Sequence, residues 1–481
     1  MTDWNDRRVL ILGAARQGIA LARWLARHGA RVTLSDTRQL EELDSAREAL
    51  PDPNVAWAPG GHPLELLDTT DVLCISGGVP LTLPIVQEAV KRGIPLTNDT
   101  QIFMEVVPCK TIGITGSAGK TTTTTLVGDM AKLDYARRTT DRVENASSPV
   151  RSPRSFVGGN IGDPLINYVD EMQADDLAIL EVSSFQLDQM NLSPHISAIL
   201  NITPNHLDRH GSMRAYTAAK ARILEFQTER DTAVLGRDDQ GAWSLRGGVK
   251  GQLYAFSLRE LEAGLNGAYL RNGSLILRAG TFDLPMLRRE KIQLRGEHNV
   301  SNVLAAFTIG HAAGFDAETM RRAAEDFRGV PHRLELVREL RGVRWYDDSI
   351  ATAPERSLAA ILAFDEPIVL LLGGRDKDLP WGDLAGLIHR RVEHVILFGE
   401  AAELIEKAIA APRPIMSGGQ GDESSPQVRR LHSLKEAIAT AAEISRAGDV
   451  VLFSPGGTSF DEFKDFAERG AAFQRWVNEL S

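Results

Sequence analysis

The feature that most constrains this chain is the alternation of short apolar strands and amphipathic helices along nearly its whole length. Near the start, the apolar residues 9–12 precede a helical pattern over 19–27 and a second strand pattern over 31–35. This is one βαβ unit of about 30 residues. Further strand patterns lie at 71–76, 94–97, 111–115, 177–182, 197–202, 368–372, 394–398 and 450–453. Continuous apolar strands separated by helices are typical of mostly parallel sheets with helices on both faces, so the sequence predicts the α/β class.

Length and composition shifts predict how these units are divided. At about 150 residues per domain, 481 residues suggest three tandem Rossmann-like or P-loop α/β modules. Boundaries near Pro108 and near Gly329-Val330-Pro331 give domains 1–107, 108–330 and 331–481. Within the second, Asn272-Gly273 between two apolar runs predicts a hairpin with a type I′ turn. Helices are expected over 84–92, 300–313 and 317–327, and a last one over 461–480.

Two polar segments show no periodicity, and both are predicted to be surface loops. Residues 135–155 are rich in Arg, Ser, Thr and Pro, and residues 417–427 are rich in Gly, Ser, Asp and Glu. We expect the first of them to be an insertion that contributes little to activity.

Composition excludes several classes of protein. With 54 basic and 64 acidic residues, the formal net charge of −10 argues against a protein that coats nucleic acid or anionic membranes. Two cysteines cannot form a disulfide framework, and no apolar run approaches the length of a membrane span. The expectation is a reduced, soluble, cytoplasmic chain.

The strongest local motif is TGSAGKTT at 115–122, which lies directly between an apolar strand and a helix. Glycines allow backbone N–H groups to surround phosphate oxygens, and the helix N-terminus adds its positive dipole end. Lys120 would reach the β- and γ-phosphates, and the Thr121 hydroxyl would bind Mg²⁺. The strict P-loop pattern is not met, because Ile114 occupies the first glycine position and Gly113 stands one place early.

A second glycine turn, residues 13–18, follows the first strand pattern. Ala15 stands where dinucleotide-binding proteins have their second glycine, and Asp36 ends the next strand, where a carboxylate can accept a hydrogen bond from a ribose hydroxyl. The turn is compatible with NAD, with a nucleotide-sugar diphosphate, or with no ligand at all.

Three further residues follow the P-loop in an order that suits a metal site. Glu181 ends a buried-type strand, His206 follows the next strand, and Lys220 lies on a predicted helix. A carboxylate at the C-terminal end of a strand points towards the phosphate site and can bind Mg²⁺. Each residue alone is compatible with an ordinary surface position, and a solvent-exposed helical lysine is the simplest interpretation of Lys220.

Taken together, the motifs resemble the Mur ligases, the ATP-dependent amide-forming family of peptidoglycan synthesis, from the first strand to the last helix. The motifs are TGSAGKTT at 115–122, GGNIG at 158–162, LEVSSFQL at 180–187, NHLDRH at 205–210, YTAAK at 216–220, GEHNVSN at 296–302, PHRLE at 331–335, DDS at 347–349, LLGGRDK at 371–377 and SPGGTSFDEFKDF at 454–466.

The resemblance implies a role for each residue that matches a family motif. Catalytic roles fall to Lys120, His206, Lys220 and Arg333. ATP would be bound by Gly116, Ser117, Ala118, Gly119, Lys120, Thr121, Thr122, Asn299, Asn302, Arg333 and Asp348. Two Mg²⁺ ions would be bound by Thr121, Glu181, His206 and a carbamate on Lys220. The UDP-linked substrate would contact Ala14, Ala15, Asp36, Thr37, Arg38, Ser76, Gly77, Asn160 and His206, and glutamate would contact Thr352, Lys377, Ser459, Phe460 and Phe466.

The implied reaction joins glutamate to UDP-N-acetylmuramoyl-L-alanine through an acyl phosphate, with the D enantiomer expected and a monomeric enzyme. Carboxylate and γ-phosphate repel each other, so the site must supply positive charge. A folylpolyglutamate synthase-like ligase shares the central domain but lacks a UDP-binding first domain. A dehydrogenase or a nucleotide-switched binding protein would use only one of the two glycine motifs.

One departure concerns the amino-acid pocket. After DDS the family often has Lys-Ala-Thr-Asn, and here the residues are Ile350-Ala351-Thr352-Ala353. The chain therefore lacks a cation and an amide there, which leaves L-glutamate or another amino acid open. The absence of the Asp-Asn-Pro-Arg motif of diamino-acid-adding relatives favours glutamate.

Overall fold

The computed structural model describes residues 3–144, 151–205, 207–377, 379–411 and 426–481, with the backbone alone for 141–144 and Asp208. Its strands form three sheets of five, nine and six strands. The mostly parallel α/β fold predicted from the alternation of apolar strands and helices is confirmed. Among the described residues, no helix is long and apolar enough to cross a membrane.

The first sheet is entirely parallel, with the order β3-β2-β1-β4-β5. Its strands are β1 (Arg8–Leu12), β2 (Arg31–Ser35), β3 (Val55–Ala58), β4 (Val72–Ile75) and β5 (Leu96–Thr97). The helices are α1 (Arg16–Arg27), α2 (Asp44–Ala49), α3 (Pro84–Lys91) and α4 (Asp99–Val106). Because β1 lies between β2 and β4, the glycine turn after β1 meets the loops that follow both neighbours.

The second sheet has the order β14-β13-β12-β11-β10-β9-β6-β8-β7. Its only antiparallel pairs among the described strands are β12 with β13 and β13 with β14. The strands are β6 (Lys110–Thr115), β7 (Ser155–Gly159), β8 (Leu177–Glu181), β9 (Ile196–Ile199), β10 (Thr232–Gly236), β11 (Gln252–Ser257), β12 (Asn266–Arg271), β13 (Ser274–Ala279) and β14 (Phe282–Arg288). The helices are α5 (Lys120–Glu144), α6 (Ser184–Leu187), α7 (Leu207–His210), α8 (Met213–Glu225), α9 (Gln240–Ser244), α10 (Glu297–Ala313) and α11 (Ala317–Asp326).

The third sheet has the order β15-β16-β20-β17-β18-β19, with one antiparallel pair at its β15 edge. The strands are β15 (Glu335–Leu340), β16 (Val343–Asp347), β17 (Ile368–Gly373), β18 (Val392–Phe398), β19 (Gln427–Arg430) and β20 (Val450–Gly456). The helices are α12 (Pro354–Ile361), α13 (Gly382–Arg391), α14 (Ala402–Ala410), α15 (Leu434–Ile444) and α16 (Phe466–Glu479).

Contacts group the chain into two compact units. The first holds Met1–Gln293 and Glu297–Phe327, and the second holds Leu294–Gly296 and Arg328–Ser481. One apolar cluster continues through the first and second sheets, from Trp4 to Ala242. In the third sheet, separate clusters cover the two faces. The two boundaries and three domains predicted from the sequence stay a prediction.

The structure corrects the prediction that residues 135–155 form an aperiodic loop. Helix α5 continues to Glu144, and Ser155 already begins β7. Asp134 is completely buried and pairs with Arg138 (2.5 Å), whose Nη2 donates to the carbonyl of Gly314 (2.6 Å). These tertiary contacts stabilise a polar helix end that periodicity does not indicate. Residues 145–150 lie outside the described part of the chain.

Two smaller corrections concern the C-terminal third. The last helix begins at Phe466 rather than at Asp461, because the Asp465 side chain accepts from the backbone N–H of Glu468 (2.8 Å) and caps it. Gln427, predicted to end a loop, begins strand β19. Residues 417–425 of that predicted loop lie outside the described residues.

Candidate functional site

The P-loop connects β6 to α5 and is held by the end of the neighbouring strand β9. The backbone N–H of Ser117 donates to the carbonyl of Asn201 (3.0 Å), and that of Ala118 donates to the Asn201 side chain (2.8 Å). Lys120 Nζ donates to the carbonyl of Gly116 (2.8 Å). The loop lysine thus lies against the turn where a phosphate would bind.

Gly119 is required by both backbone conformation and space. Its φ is +81°, and a Cβ at this position would lie 2.3 Å from Oδ1 of Asn302. The Asn302 amide in turn donates to Asn299 Oδ1 (3.1 Å). The structure therefore brings both asparagines of α10 to the P-loop.

Lys220 is buried, which corrects the simplest interpretation of a solvent-exposed helical lysine. Its side chain is among the largest fully buried ones, with the residue 1% exposed. Nζ donates to the carbonyl of Gly116 (3.0 Å), lies 3.3 Å from Thr115 Oγ1 and stands 4.8 Å from the centre of the Tyr216 ring. Burial, and to a smaller extent the nearby charge of Lys120, lower the pKa of Lys220 to about 7, and Glu181 opposes the shift.

Glu181 ends β8 with a buried carboxylate that is only half satisfied. Oε1 accepts from the Asn160 amide (2.9 Å), whereas Oε2 makes no hydrogen bond among the described residues. A buried carboxylate oxygen with no donor suits a hard cation, and Thr121 at the start of α5 offers a hydroxyl oxygen. These oxygen donors fit Mg²⁺.

One cavity of about 340 Å³ joins the first sheet to the P-loop. Gly77 and Gly78 line it from the loop after β4, and Lys120, Lys220 and Asn160 line it from the second sheet. Arg16 at the start of α1 also donates to the carbonyl of Asn160 (3.2 Å). A ligand in this cavity can thus contact both glycine motifs at once.

In the first sheet, Asp36 fixes the glycine turn. Its carboxylate accepts from the backbone N–H of Ala14 (2.7 Å) and from Arg38 Nε (2.9 Å). The Arg38 guanidinium holds the pKa of Asp36 well below its usual range. Ala15 is exposed at the N-cap of α1, and Ser76 Oγ donates to the carbonyl of Gly13 (3.2 Å). Thr37 and Gly77 lie in the two loops that flank this turn.

The second compact unit contains the other predicted ATP and glutamate residues. Asp348 follows β16 and accepts hydrogen bonds from Ser454 Oγ (2.7 Å) and from the backbone N–H of Leu334 (3.2 Å). Leu334 directly follows Arg333 in the sequence. Burial raises the pKa of Asp348 to about 7, and these hydrogen bonds oppose the shift. Lys377 Nζ lies 3.5 Å from Thr352 Oγ1.

The remaining glutamate residues differ in exposure. Ser459 is buried, Phe460 is 60% exposed, and Phe466 is partly exposed at the start of α16. The role of these residues in binding glutamate stays a prediction.

The sequence analysis missed Tyr216 and Phe185 as site residues, although both lie within the motifs. Tyr216 lies one helical turn before Lys220, on the same face of α8, and its hydroxyl lies 3.0 Å from Ser117 Oγ. Phe185 of the LEVSSFQL motif lines the cavity. His206, predicted as a metal and substrate residue, lies outside the described residues.

Comparison with known proteins places this geometry in a family. Residues 7–98 match the model "Mur ligase MurD-like, N-terminal domain", residues 114–310 match "Mur ligase middle domain", and residues 332–457 match "Mur ligase, glutamate ligase domain". A UDP-N-acetylmuramoylalanine–D-glutamate ligase from Symbiobacterium thermophilum is 37% identical over 476 residues, 99% of both chains. One from Acidobacterium capsulatum is 38% identical, over 99% of this chain and 97% of the relative.

Solved structures show the same fold at low sequence identity. A UDP-N-acetylmuramate–alanine ligase from Thermotoga maritima is similar with a TM-score of 0.54 and 17% identity, over 98% of this chain and 100% of that one. A UDP-N-acetylmuramoyl-L-alanyl-D-glutamate–2,6-diaminopimelate ligase gives a TM-score of 0.52 and 18% identity over 93% and 92%. The chain resembles curated relatives over its full length and matches three domain models of one family. Its P-loop lies next to a buried lysine and a buried carboxylate. We conclude that the chain belongs to the Mur ligase family of ATP-dependent ligases.

Proposed function

We propose that this enzyme joins D-glutamate to UDP-N-acetylmuramoyl-L-alanine with cleavage of ATP to ADP and phosphate. The observation that supports it is the cavity that Gly77 and Gly78 line on one side and Lys120 and Lys220 on the other. A UDP-linked acyl substrate has its diphosphate and its carboxylate at opposite ends and fits such a cavity. The names of the curated relatives agree with this substrate pair.

The reaction has two steps. The alanyl carboxylate attacks the γ-phosphorus of ATP, which gives an acyl phosphate and ADP; the glutamate amine then attacks the acyl carbon, loses a proton and releases phosphate. Lys120 and Arg333 would supply positive charge to the transferring phosphoryl group. Lys377, beside Thr352, would hold a carboxylate of the incoming glutamate as a point charge. Ser459, Phe460 and Phe466 would complete its pocket.

ATP would be bound by the P-loop residues 116–122 together with Asn299, Asn302, Arg333 and Asp348. Thr121, Glu181, His206 and a carbamate on Lys220 would hold two Mg²⁺ ions, which would neutralise the charge of the phosphate oxygens. The free oxygen of Glu181 and the burial of Lys220 support this set. Asp36, Thr37, Arg38 and the residues Ala14, Ala15, Ser76 and Gly77 would bind the UDP end, and Asn160 would lie near the acyl end.

One assay tests the proposed function. Phosphate release from ATP is measured with UDP-N-acetylmuramoyl-L-alanine and with D- or L-glutamate in turn, and we expect turnover with the D enantiomer only. Equal turnover with L-glutamate would refute the stereochemical part, and no turnover with either enantiomer would refute the proposal. Binding of NAD but not of the UDP-sugar would favour a dehydrogenase.

The same proposal extends to where and in what form the enzyme acts. ATP and UDP-linked sugars are water-soluble metabolites of the cytoplasm, and we expect a cytoplasmic monomer that contains three domains, 1–107, 108–330 and 331–481. Light scattering after size-exclusion chromatography should give a mass near 52.6 kDa. A mass of twice that value would contradict the monomer.

A further inference from the structure

Two positively charged side chains lie close together in the second compact unit, beside a residue of the predicted glutamate pocket. Arg356 lies in the first turn of α12, and its Nη1 donates to the carbonyl of Ile350 (3.3 Å). Lys377 lies in the loop after β17, and its Nζ is 3.5 Å from Thr352 Oγ1. Both side chains therefore reach the same short segment, residues 350–352, between β16 and α12.

Neither of these cations has an acidic partner among the described residues. No ion pair joins Arg356 or Lys377 to a carboxylate there, and the Arg356 side chain has only its hydrogen bond to a backbone carbonyl. Partial burial and, to a smaller extent, the charge of Arg356 lower the pKa of Lys377, and Glu355 opposes the shift. Two like charges near each other without a counter-ion favour an anion that contacts both.

Two other arginines near these loops already have partners. Arg375 pairs with Glu400 (2.8 Å). Arg469 is completely buried, where its Nη2 donates to the carbonyl of Ser349 (2.9 Å) and its Nη1 to the carbonyl of Gly457 (3.1 Å). These two guanidinium groups therefore stabilise the loops, and the two cations described above are left for a ligand.

Helix α12 holds the backbone of Arg356 in place. The buried Ser357 Oγ donates to the carbonyl of Ser454 in β20 (2.8 Å), and Pro354 at the start of the helix is buried as well. The backbone N–H of Arg356 donates to the carbonyl of Ala353, the N-cap residue (3.0 Å). Arg356 is thus an exposed side chain on a fixed backbone.

The chemistry of a guanidinium suits the part of the proposed substrate that has no assigned partner. Glutamate has two carboxylates, and Lys377 is proposed to hold one of them. A guanidinium matches a carboxylate with two parallel N–H bonds, whereas an ammonium acts as a point charge. Arg356 also contacts the backbone of Ile350, the position at which the family often has a lysine. Arg356 itself lies outside the motifs that carry the resemblance.

We propose that Arg356 binds the second carboxylate of the incoming amino acid and makes the pocket specific for a dicarboxylic substrate. Helix α12 thereby supplies the positive charge that is missing at Ile350. An amino acid with one carboxylate would leave one of the two cations without a partner, which is a basis for rejecting it. This inference rests on the proposed function and adds a specificity residue to it.

The first test compares KM values of the full-length enzyme in the phosphate-release assay. Arg356→Ala should raise the KM for D-glutamate about tenfold or more, because it removes a charge-assisted hydrogen bond. The KM for ATP and that for the UDP-linked substrate should each change by less than about threefold. Arg390→Ala, at an exposed arginine of α13, is the matched control and should retain all three values. A rise in the KM for ATP instead of D-glutamate would contradict the assignment.

The second test restores the charge by another route, which a purely structural role of Arg356 would not allow. In the Arg356→Ala background, Ile350→Lys should return the KM for D-glutamate to within about threefold of the wild type. Ile350→Met, which is neutral and of similar volume, should not lower it. Guanidinium chloride at low millimolar concentration should also lower the KM of Arg356→Ala, by occupying the vacated place.

The third test uses inhibitors that lack the amine. Glutarate has both carboxylates, and its monoamide replaces one of them with a neutral amide of the same size. Glutarate should inhibit the wild type at a concentration about tenfold lower than the monoamide, because only glutarate can pair with both cations. In Arg356→Ala this ratio should fall to about threefold or less. The same ratio in the wild type and in Arg356→Ala would refute the role of Arg356.

Failure of this inference can be told from failure of the proposed function. A wild type that releases no phosphate with D-glutamate would overturn the proposed function, and the inference with it. An active wild type and an unchanged KM for D-glutamate in Arg356→Ala would overturn the inference alone. A raised KM that neither Ile350→Lys nor guanidinium lowers would show that Arg356 acts on the fold and not on the carboxylate.

Discussion

Lys220 shows how the surroundings of one side chain change its chemistry. The ammonium form is disfavoured by burial and by Lys120, so the neutral amine is well populated near pH 7. A neutral amine is the form that adds CO₂, and the resulting carbamate would offer Mg²⁺ the anionic oxygens that an ammonium cannot. Burial therefore supports the carbamate proposed for this position.

The first prediction concerns the loss and rescue of activity in Lys220→Ala. We expect phosphate release to fall by at least about a hundredfold, the scale on which removal of one charge-positioning group acts. Added formate or acetate should restore part of the activity by occupying the vacated space, and wild-type activity should fall in CO₂-depleted buffer. Lys250→Ala, at an exposed lysine, is the control. A fully active Lys220→Ala variant would remove Lys220 from the mechanism.

The second prediction concerns the pH dependence of stability. Because the folded-state pKa of Lys220 is about 7 and the unfolded value is near 10.4, burial of the charged form destabilises the fold fully below pH 7. This penalty disappears as the pH rises from about 7 to about 10. Lys220→Met should therefore have a higher free energy of unfolding than the wild type at pH 6, and this difference should be smaller at pH 9. Urea titrations in bicarbonate-free buffer measure this difference, and a pH-independent difference would contradict the shift.

At the scale of elements, helix α5 connects the P-loop to the packing of the whole second sheet. Lys120 and Thr121 begin the helix. Fourteen residues further along, the buried Asp134 accepts a hydrogen bond from the backbone N–H of Asp316 (2.9 Å), which is the N-cap of α11. The same carboxylate pairs with Arg138. These contacts therefore anchor the far part of α5 to the start of α11.

The third prediction tests this end of α5. Asp134→Ala should lower the free energy of unfolding by about 2 kcal/mol, because it leaves a buried N–H and a guanidinium without their acceptor. Replacement of residues 135–155 by a short Gly/Ser linker should also destabilise the protein, because it removes the helical turns that follow Asp134. Asp326→Ala, which breaks an exposed ion pair with Arg322, is the control and should have no measurable effect. Unchanged stability of Asp134→Ala would show that the pairing is incidental.

At the scale of the whole molecule, the first and second sheets belong to one compact unit. Buried amides connect them: Asn98 donates to the carbonyl of Gln186 (2.9 Å), and the Gln186 amide donates to Thr100 Oγ1 (2.7 Å). The Trp24 indole of α1 donates to Asp170 (3.1 Å). Since these bonds join α1 and α4 to elements of the second sheet, neither sheet is expected to unfold alone.

The fourth prediction is that calorimetric unfolding shows two transitions rather than three. Saturating UDP-N-acetylmuramoyl-L-alanine should raise the transition of the unit that contains the first two sheets, since a ligand at 100 times its Kd adds about 2.7 kcal/mol to the stability of the state it binds. UMP at the same concentration, which carries only the nucleotide part, should raise it less. A separate third transition for the first sheet would contradict this.

Much of this protein is determined by local sequence. The α/β class follows from apolar runs and helical periodicity, and the Asn272-Gly273 hairpin follows from two residues that accept φ values of +50° and +71°. The P-loop is recognisable because glycines, a lysine and a helix start must be adjacent in the chain. Such features are predictable because each depends on residues that are neighbours in sequence.

Only the tertiary structure decided the features that depend on distant partners. The burial of Lys220 beside Tyr216, the hydrogen bond of Asn160 to Glu181 and the position of Asn302 against Gly119 all join different elements. The helical state of residues 135–144, in a sequence without apolar periodicity, follows from long-range packing in the same way. The sequence therefore determined which groups this enzyme has, and the fold determined their environment, because burial and pairing arise from contacts between residues far apart in the chain.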